Sequence, residues 1–175
     1  MSLLARLFST REDPRDGLKP LWHSTVKAAR EPGWYTDCGV ADTLEGRFDM
    51  VVSVLTLVLL RMENDPMLAN QTGPLTELFV EDMDGQLRQS GVGDLVVGKK
   101  IGRLMEVLGG RLGAYREAFA ANDDGALTSA VRRNTTMADE AKADELAMRV
   151  RELHRRLAGI DSDTLLDQGI MGGIV

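Results

Sequence analysis

The sequence is poor in the residues that build disulfide frameworks, metal sites and many-stranded sheets. Its 175 residues include one cysteine, two histidines, five prolines and only 5% aromatic residues. A single cysteine excludes an internal disulfide, and His23 and His154 lack metal-ligand spacing. Few aromatic residues, with many Leu, Ala, Met, Arg and Glu, favour helices over strands. We predict an all-α protein without cofactor or metal, from a reducing, cytoplasmic compartment, with Cys38 as a small buried or partly buried residue.

An excess of basic residues is also lacking. The net charge of −6 argues against general nucleic-acid binding, and no sequence-specific nucleic-acid partner is expected. The charge is nevertheless uneven, and we expect solvated faces of opposite sign on residues 81–94 and 99–116. The first stretch carries Glu81, Asp82, Asp84 and Asp94 against Arg88, and the second carries Lys99, Lys100, Arg103, Arg111 and Arg116 against Glu106.

A hydrophobic run long enough to cross a membrane is missing from the interior of the chain. The run Met50–Leu60 has eleven residues, of which two are polar, and Asp49 and Arg61 close its ends. At ~1.5 Å per residue it spans roughly 16 Å, about half of a ~30 Å hydrocarbon core. It therefore predicts a central core helix, which begins near residue 42 or 43 and ends before Asp65–Pro66.

Hydrophobic periodicity and turn residues predict one compact domain of about six helices. The helices begin near residues 21, 43, 75, 94, 123 and 137, and Pro20 suits the first turn of the first helix. We predict an N-terminal extension over residues 1–19, a helical domain over residues 20–158 and a C-terminal tail over residues 159–175. The tail is expected to be ordered only where Leu165, Leu166 and Ile170 pack.

The start of the chain carries apolar residues at helical spacing, namely Leu3, Leu4, Leu7 and Phe8 around Arg6. This pattern fits a short amphipathic anchor, peripheral on the inner membrane, and it equally fits a terminus whose leucines pack on the body. It lacks the long apolar region of a secretory signal. Both interpretations stay open.

Two patterns that resemble enzyme sites fail on closer inspection. Residues 93–99 fit most of a phosphate-loop motif, but Lys100 stands where a Ser or Thr must bind magnesium, and the preceding segment is helical instead of a strand. Asp82 and Asp84 have no partner base or metal ligand in the sequence pattern. We therefore predict that the protein is not an enzyme.

Three glycines interrupt the fourth predicted helix away from its apolar stripe. Gly102, Gly109 and Gly113 fall along one side of that helix. Each costs roughly 1 kcal/mol of helix propensity relative to Ala, which indicates that a close backbone neighbour offsets the cost. The neighbour is either internal or a helix of a partner.

The segment Asp82–Lys99, DMDGQLRQSGVGDLVVGK, joins the third and fourth predicted helices through a glycine-rich turn. It closely resembles the signature of the ubiquinol-cytochrome c chaperone family, the assembly factors of respiratory complex III. The likeness extends over residues 20–135, although Leu108–Gly109 replace the aromatic pair expected before Gly110–Arg111. Further matching blocks are Ala29–Arg30, Trp34–Tyr35, Gly39–Thr43, Gly46–Phe48, Ala114–Tyr115 and Arg133–Asn134.

The resemblance implies a non-enzymatic chaperone that binds newly synthesised cytochrome b and promotes the biogenesis of complex III. It also allows a small co-chaperone, the ribosome or the inner-membrane surface as further partners. The matching positions that it marks as important are Asp82, Asp84, Leu87, Arg88, Gly91, Gly93, Asp94, Leu95, Gly98 and Lys99.

Cytochrome b presents apolar helices joined by charged loops, so a receiver needs an apolar floor with a charged rim. We predict such a cleft beside the joint, with Asp84, Arg88, Lys99, Lys100 and Arg103 on its rim and Arg111 as a further contact. Two alternatives stay open: a membrane-surface or ribosome-docking adaptor that uses the basic helix 99–116, and a helical scaffold that dimerises.

Overall fold

The computed structural model describes residues 13–121 and 123–170 of the chain, and its secondary structure confirms the predicted all-α class. Within these residues the only strand-like pairing is an isolated antiparallel bridge between Val40 and Met137. The α-helices are α1 (Lys19–Ala29), α2 (Gly33–Thr36), α3 (Leu44–Glu63), α4 (Thr72–Gln89), α5 (Asp94–Ala121), α6 (Asp124–Asn134), α7 (Ala143–Ala158) and α8 (Ser162–Gln168).

Helix α3 lies at the centre of the domain, as predicted from the run Met50–Leu60, every residue of which is buried. The other long helices pack around it, and their apolar faces complete one core. The Thr43 hydroxyl caps α3 by accepting a hydrogen bond from the Gly46 amide at 3.2 Å. No helix within residues 13–121 and 123–170 is long and apolar enough to span a membrane.

Two helix starts differ from the prediction. Helix α4 begins at Thr72 instead of near residue 75, because Pro74 falls in the first turn, where a backbone N–H is not needed. Helix α7 begins at Ala143 instead of near residue 137. There Met137 pairs with Val40, and the amides of residues 138 and 139 donate to the Gly39 carbonyl, so that this segment is not helical.

Residues near both ends of the described chain contribute to the core. Leu18, Leu165 and Ile170 are buried, and the Ile170 amide donates to Ser24 Oγ on α1 at 3.0 Å. The expectation that the tail is ordered where its apolar residues pack is confirmed for these positions. The amphipathic pattern of residues 1–10 lies outside the described residues.

Polar contacts tie the end of α7 and the start of α8 to the end of α3. Arg61 donates to the carbonyls of Leu157 and Ile160 at 3.1 and 2.9 Å and pairs with Asp65 at 2.8 Å. Hydrogen bonds from Ser162 and then Arg61 lower the pKa of Asp65 to about 2. The interhelical connection therefore stays charged and bonded throughout the neutral range.

Candidate functional site

The joint between α4 and α5 is a tight turn, as its glycines predicted. Gly91 has a φ of 82°, which suits glycine, and its amide donates to the Arg88 carbonyl at 3.0 Å. The Val92 amide donates to the Leu87 carbonyl at 3.2 Å, which completes a Schellman end for α4. The last turn of α4 and the first turn of α5 are thereby set in a defined relative position.

Arg88 connects the two helices across this joint. Its Nε donates to Asp84 at 2.6 Å, and its Nη1 donates to the Asp94 carboxylate at the start of α5. Hydrogen bonds to Asp84 and then Asp94 raise the pKa of Arg88. Arg88 offsets one of the two negative charges of Asp84 and Asp94, so one negative charge remains in this cluster of three predicted contact residues.

The exposed charge of the joint is cationic. Lys99, Lys100 and Arg103 are exposed on the first turns of α5, and they form no ion pair with any residue of 13–121 or 123–170. Arg116, which also belongs to the basic stretch, pairs with Glu63 of α3 at 2.8 Å. The predicted basic side is therefore shorter than the sequence suggested and lies next to the joint.

Apolar side chains stand beside these cations. Leu95 is 90% exposed, and the adjacent Val96 is 48% exposed. Val97 faces inward and is buried, so it anchors the first turn of α5 to the domain. Leu95 and Val96 are adjacent and both exposed, so together with the neighbouring cations they make the outer face of the joint a candidate contact surface. We call Leu95, Val96, Lys99, Lys100 and Arg103 the joint surface.

The glycines of α5 face open space. An added Cβ at Gly102, Gly109 or Gly113 meets no atom within 4 Å, and the same holds for Gly98. The predicted close internal neighbour is therefore wrong, since nothing in the described fold approaches these positions. Spacings of four, seven and four place the glycines on one side of the helix.

We expect Gly102→Ala and Gly109→Ala each to raise the free energy of unfolding by roughly 0.5 to 1 kcal/mol. Alanine restores helix propensity, and its methyl group enters empty space. Urea denaturation followed by circular dichroism measures the change, with Gly110→Ala, also open but off this side, as the matched control. A loss of stability at the first two positions alone would reveal a close neighbour on that side.

Arg111 is buried, which corrects its assignment to a partner-binding surface. Its side chain is 2% exposed and lies in the core between α5 and α3. Its Nη1 donates to the Asp49 carbonyl at 2.5 Å and to Ser53 Oγ at 3.2 Å, and its Nη2 donates to Asp49 Oδ1 at 3.0 Å and to the Asn134 carbonyl. Arg111 thus connects α5 to α3 and to the end of α6, and its burial keeps it out of reach of a partner protein.

The Arg111 contacts belong to a larger polar cluster. Asp49 Oδ2 accepts hydrogen bonds from the Thr136 amide and hydroxyl, both at 2.8 Å. The Ser53 and Tyr115 hydroxyls lie 3.2 Å apart, and burial raises the pKa of Tyr115. The sequence did contain a signal for this burial, because Arg111 follows Leu108 by three residues and precedes Tyr115 by four, on the buried stripe of α5.

A cavity of about 850 Å³ lies between α1 and α4. Of the predicted contact residues, Asp82 is the one that lines it. The predicted rim charges Asp84, Arg88, Lys99, Lys100 and Arg103 are not among its lining residues, so this cavity is not the cleft predicted beside the joint. Within the described residues, no group of three or more His, Cys, Asp or Glu side chains is arranged to hold a metal ion.

Comparison with known proteins agrees with this architecture. The fold is similar to the crystal structure of the Cbp3 homolog from Brucella abortus, with a TM-score of 0.75 and 30% sequence identity over 91% of this chain and 87% of that chain. The sequence matches the family described as ubiquinol-cytochrome C chaperone over residues 36–171. No curated protein sequence matched the chain.

The structure and these similarities define an all-helical assembly chaperone. The chain belongs to the ubiquinol-cytochrome c chaperone family, as the residues of the joint had indicated. A chaperone role in ubiquinol-cytochrome c assembly follows from this membership.

Proposed function

We propose that this protein is a non-enzymatic chaperone that binds newly synthesised cytochrome b through the joint surface and promotes assembly of complex III. The observation that carries the proposal is the exposure of Leu95 beside three cations without ion-pair partners among the described residues. Family membership supports the assembly role, and the joint surface supplies the chemistry that such a client needs.

The client explains why apolar and charged groups are mixed on this surface. Cytochrome b has apolar transmembrane helices, which must be shielded from water before insertion, and charged loops between them. Leu95 and Val96 offer apolar contact to such a helix, while Lys99 and Lys100 attract acidic loop residues. Because all of these residues lie on helix α5, the apolar and cationic groups keep a defined spacing, and Arg88 ties the start of that helix to α4.

We expect Lys99→Glu with Lys100→Glu to reduce the capture of cytochrome b by about fivefold or more, equivalent to roughly 1 kcal/mol. Leu95→Glu should have a similar effect, because it places a charge in the apolar contact. Capture is measured by pull-down of tagged protein from a translation extract that synthesises cytochrome b. Circular dichroism should show unchanged helicity, since all three side chains are exposed.

Matched controls separate the joint surface from general charge effects. Arg132→Glu with Arg133→Glu makes the same change in charge at two exposed residues of α6 that form no ion pair within the described part of the chain, and Met148→Glu adds a charge at an exposed apolar residue of α7. Both controls should capture cytochrome b normally. Equal losses in joint and control variants would show that net charge matters and that the joint surface does not hold the client.

A second candidate function is an adaptor that docks on anionic lipid or ribosomal RNA. It is favoured by the cluster Lys99, Lys100 and Arg103, whose members lie within two turns of α5 without ion pairs among the described residues. Attachment through phosphate contacts falls steeply as salt rises, whereas client binding that also uses the apolar contacts of Leu95 and Val96 falls less. If the protein keeps cytochrome b at high salt but releases membranes or ribosomes, client binding and docking depend on different contacts.

A further inference from the structure

The cavity between α1 and α4 is an elongated groove with an apolar floor. Trp22, Val26 and Leu78 form this floor, and Trp22 is held by an edge contact with Phe79 whose ring centroids are 5.9 Å apart. The α1 side is lined over Lys19–Arg30, which corresponds to roughly 16 Å of helix or three turns. We call this space the α1–α4 groove.

The two walls of the α1–α4 groove carry opposite charge. Lys19, Lys27, Arg30 and Glu31 line the α1 side, and Glu81 and Asp82 line the α4 side. Lys19 pairs with Asp16 and Glu31 pairs with Arg149, so the α1 wall owes its positive charge to Lys27 and Arg30. Glu81 is engaged by Arg15 at 2.9 Å, whereas Lys27, Arg30 and Asp82 form no ion pair with any residue in 13–121 or 123–170. No ion pair among the described residues therefore joins the cations of the α1 wall to the carboxylates of the α4 wall across the groove.

This arrangement suits a long occupant better than a compact one. An apolar floor about three turns long favours a rod that places apolar side chains at regular intervals, as an amphipathic helix does. Charged residues on the two borders of that helix would then lie opposite the two walls, acidic residues toward Lys27 and Arg30 and basic residues toward Asp82. Charge complementarity of this kind selects partners and suppresses wrong ones.

We propose that the α1–α4 groove binds an amphipathic helix of a partner protein, with acidic residues along one border of its apolar stripe and basic residues along the other. The groove uses none of the residues of the joint surface, so this inference does not depend on the proposed binding of cytochrome b. A client on the joint surface contacts α5, whereas a partner helix in the groove contacts α1 and α4.

Helical peptides of about 14 residues with one leucine stripe test the proposal. The first peptide carries Glu on one border and Lys on the other, and two controls carry Glu on both borders or Lys on both. Fluorescence anisotropy with the full chain should show the mixed peptide binding about tenfold more tightly than either control. Val26→Asp, which charges the floor, should abolish that binding.

A charge-reversal variant separates a change in groove binding from a loss of the folded state. Lys27→Glu with Arg30→Glu renders both walls acidic and changes two exposed side chains without ion pairs in the described part of the chain. The variant should prefer the all-Lys peptide by about tenfold, a gain that an unfolded protein does not produce. Lys99→Glu with Lys100→Glu, on the joint surface, should leave the original preference unchanged.

Several results would overturn the proposal. Equal affinity for the three peptides would show that the wall charges do not select the occupant. A peptide preference that changes in the Lys99 and Lys100 variant, and not in the Lys27 and Arg30 variant, would place peptide binding on the joint surface. Binding that occurs only after deletion of residues 1–12 would identify the chain's own amino-terminal segment as the occupant in place of a partner helix.

Discussion

Arg111→Ala is expected to lower the free energy of unfolding by about 3 to 5 kcal/mol, the typical cost of removing one partner from a buried ion pair. The substitution leaves the Asp49 carboxylate, the Asn134 carbonyl and the Ser53 hydroxyl without the guanidinium that they now contact. It also opens a cavity between α5 and α3. Urea denaturation followed by circular dichroism measures the loss.

The geometry of the guanidinium is as important as its charge in this cluster. Two terminal nitrogens reach atoms of α3 and of the end of α6, an arrangement that the single ammonium of Lys cannot reproduce. Arg111→Lys should therefore recover only a small part of the lost stability. Arg116→Ala, which breaks the exposed pair with Glu63, is the matched control and should cost less than about 1 kcal/mol. Similar losses for Arg111→Ala and Arg116→Ala would contradict the assigned structural role.

Gly46→Ala is expected to lower the free energy of unfolding by about 3 kcal/mol, at the upper end of the cost of overpacking. A Cβ at this position would lie 2.0 Å from the Ala41 carbonyl oxygen and 3.0 Å from its carbon. Both are backbone atoms, so no rotamer change relieves the clash. The first turn of α3 or the segment before it must shift, and thermal or urea denaturation detects the resulting loss.

The same substitution at Gly102 provides the control, because there it adds a methyl group to open space in a helix. Alanine has the higher helix propensity at both positions, so propensity alone predicts a gain in each case. Opposite signs at Gly46 and Gly102 would show that packing decides the effect. A gain in stability at Gly46 would mean that the Ala41 carbonyl has room to move.

These two predictions concern stability, and they also affect tests of function. The Arg111 cluster fixes α5 against α3, and the joint surface lies on the first turns of α5. A variant of Arg111 should therefore lose client capture only as far as the domain unfolds. Variants of Lys99 and Lys100 should lose client capture while the domain stays folded. Comparison of the two sets of variants therefore distinguishes a residue that holds α5 in place from residues that contact the client.

Much of the molecule was determined by sequence alone, because the controlling interactions are local. The spacing of apolar residues established the helical class, the buried run Met50–Leu60 established the central helix, and Gly91 established the turn between α4 and α5. Helix propensity, capping and turn conformation depend on residues within a few positions of each other. The combination of such local features around the joint also sufficed to indicate the family.

Tertiary structure decided how the charges and glycines are used, because their neighbours are distant in sequence. Arg111 resembled a surface cation until Asp49, 62 residues earlier, was placed beside it. Gly102 suggested close packing, yet no other element reaches it. The α1–α4 groove exists only because two helices far apart in the chain lie side by side. Burial and ion pairing are properties of the assembled surfaces, and periodicity along one helix does not specify what lies opposite.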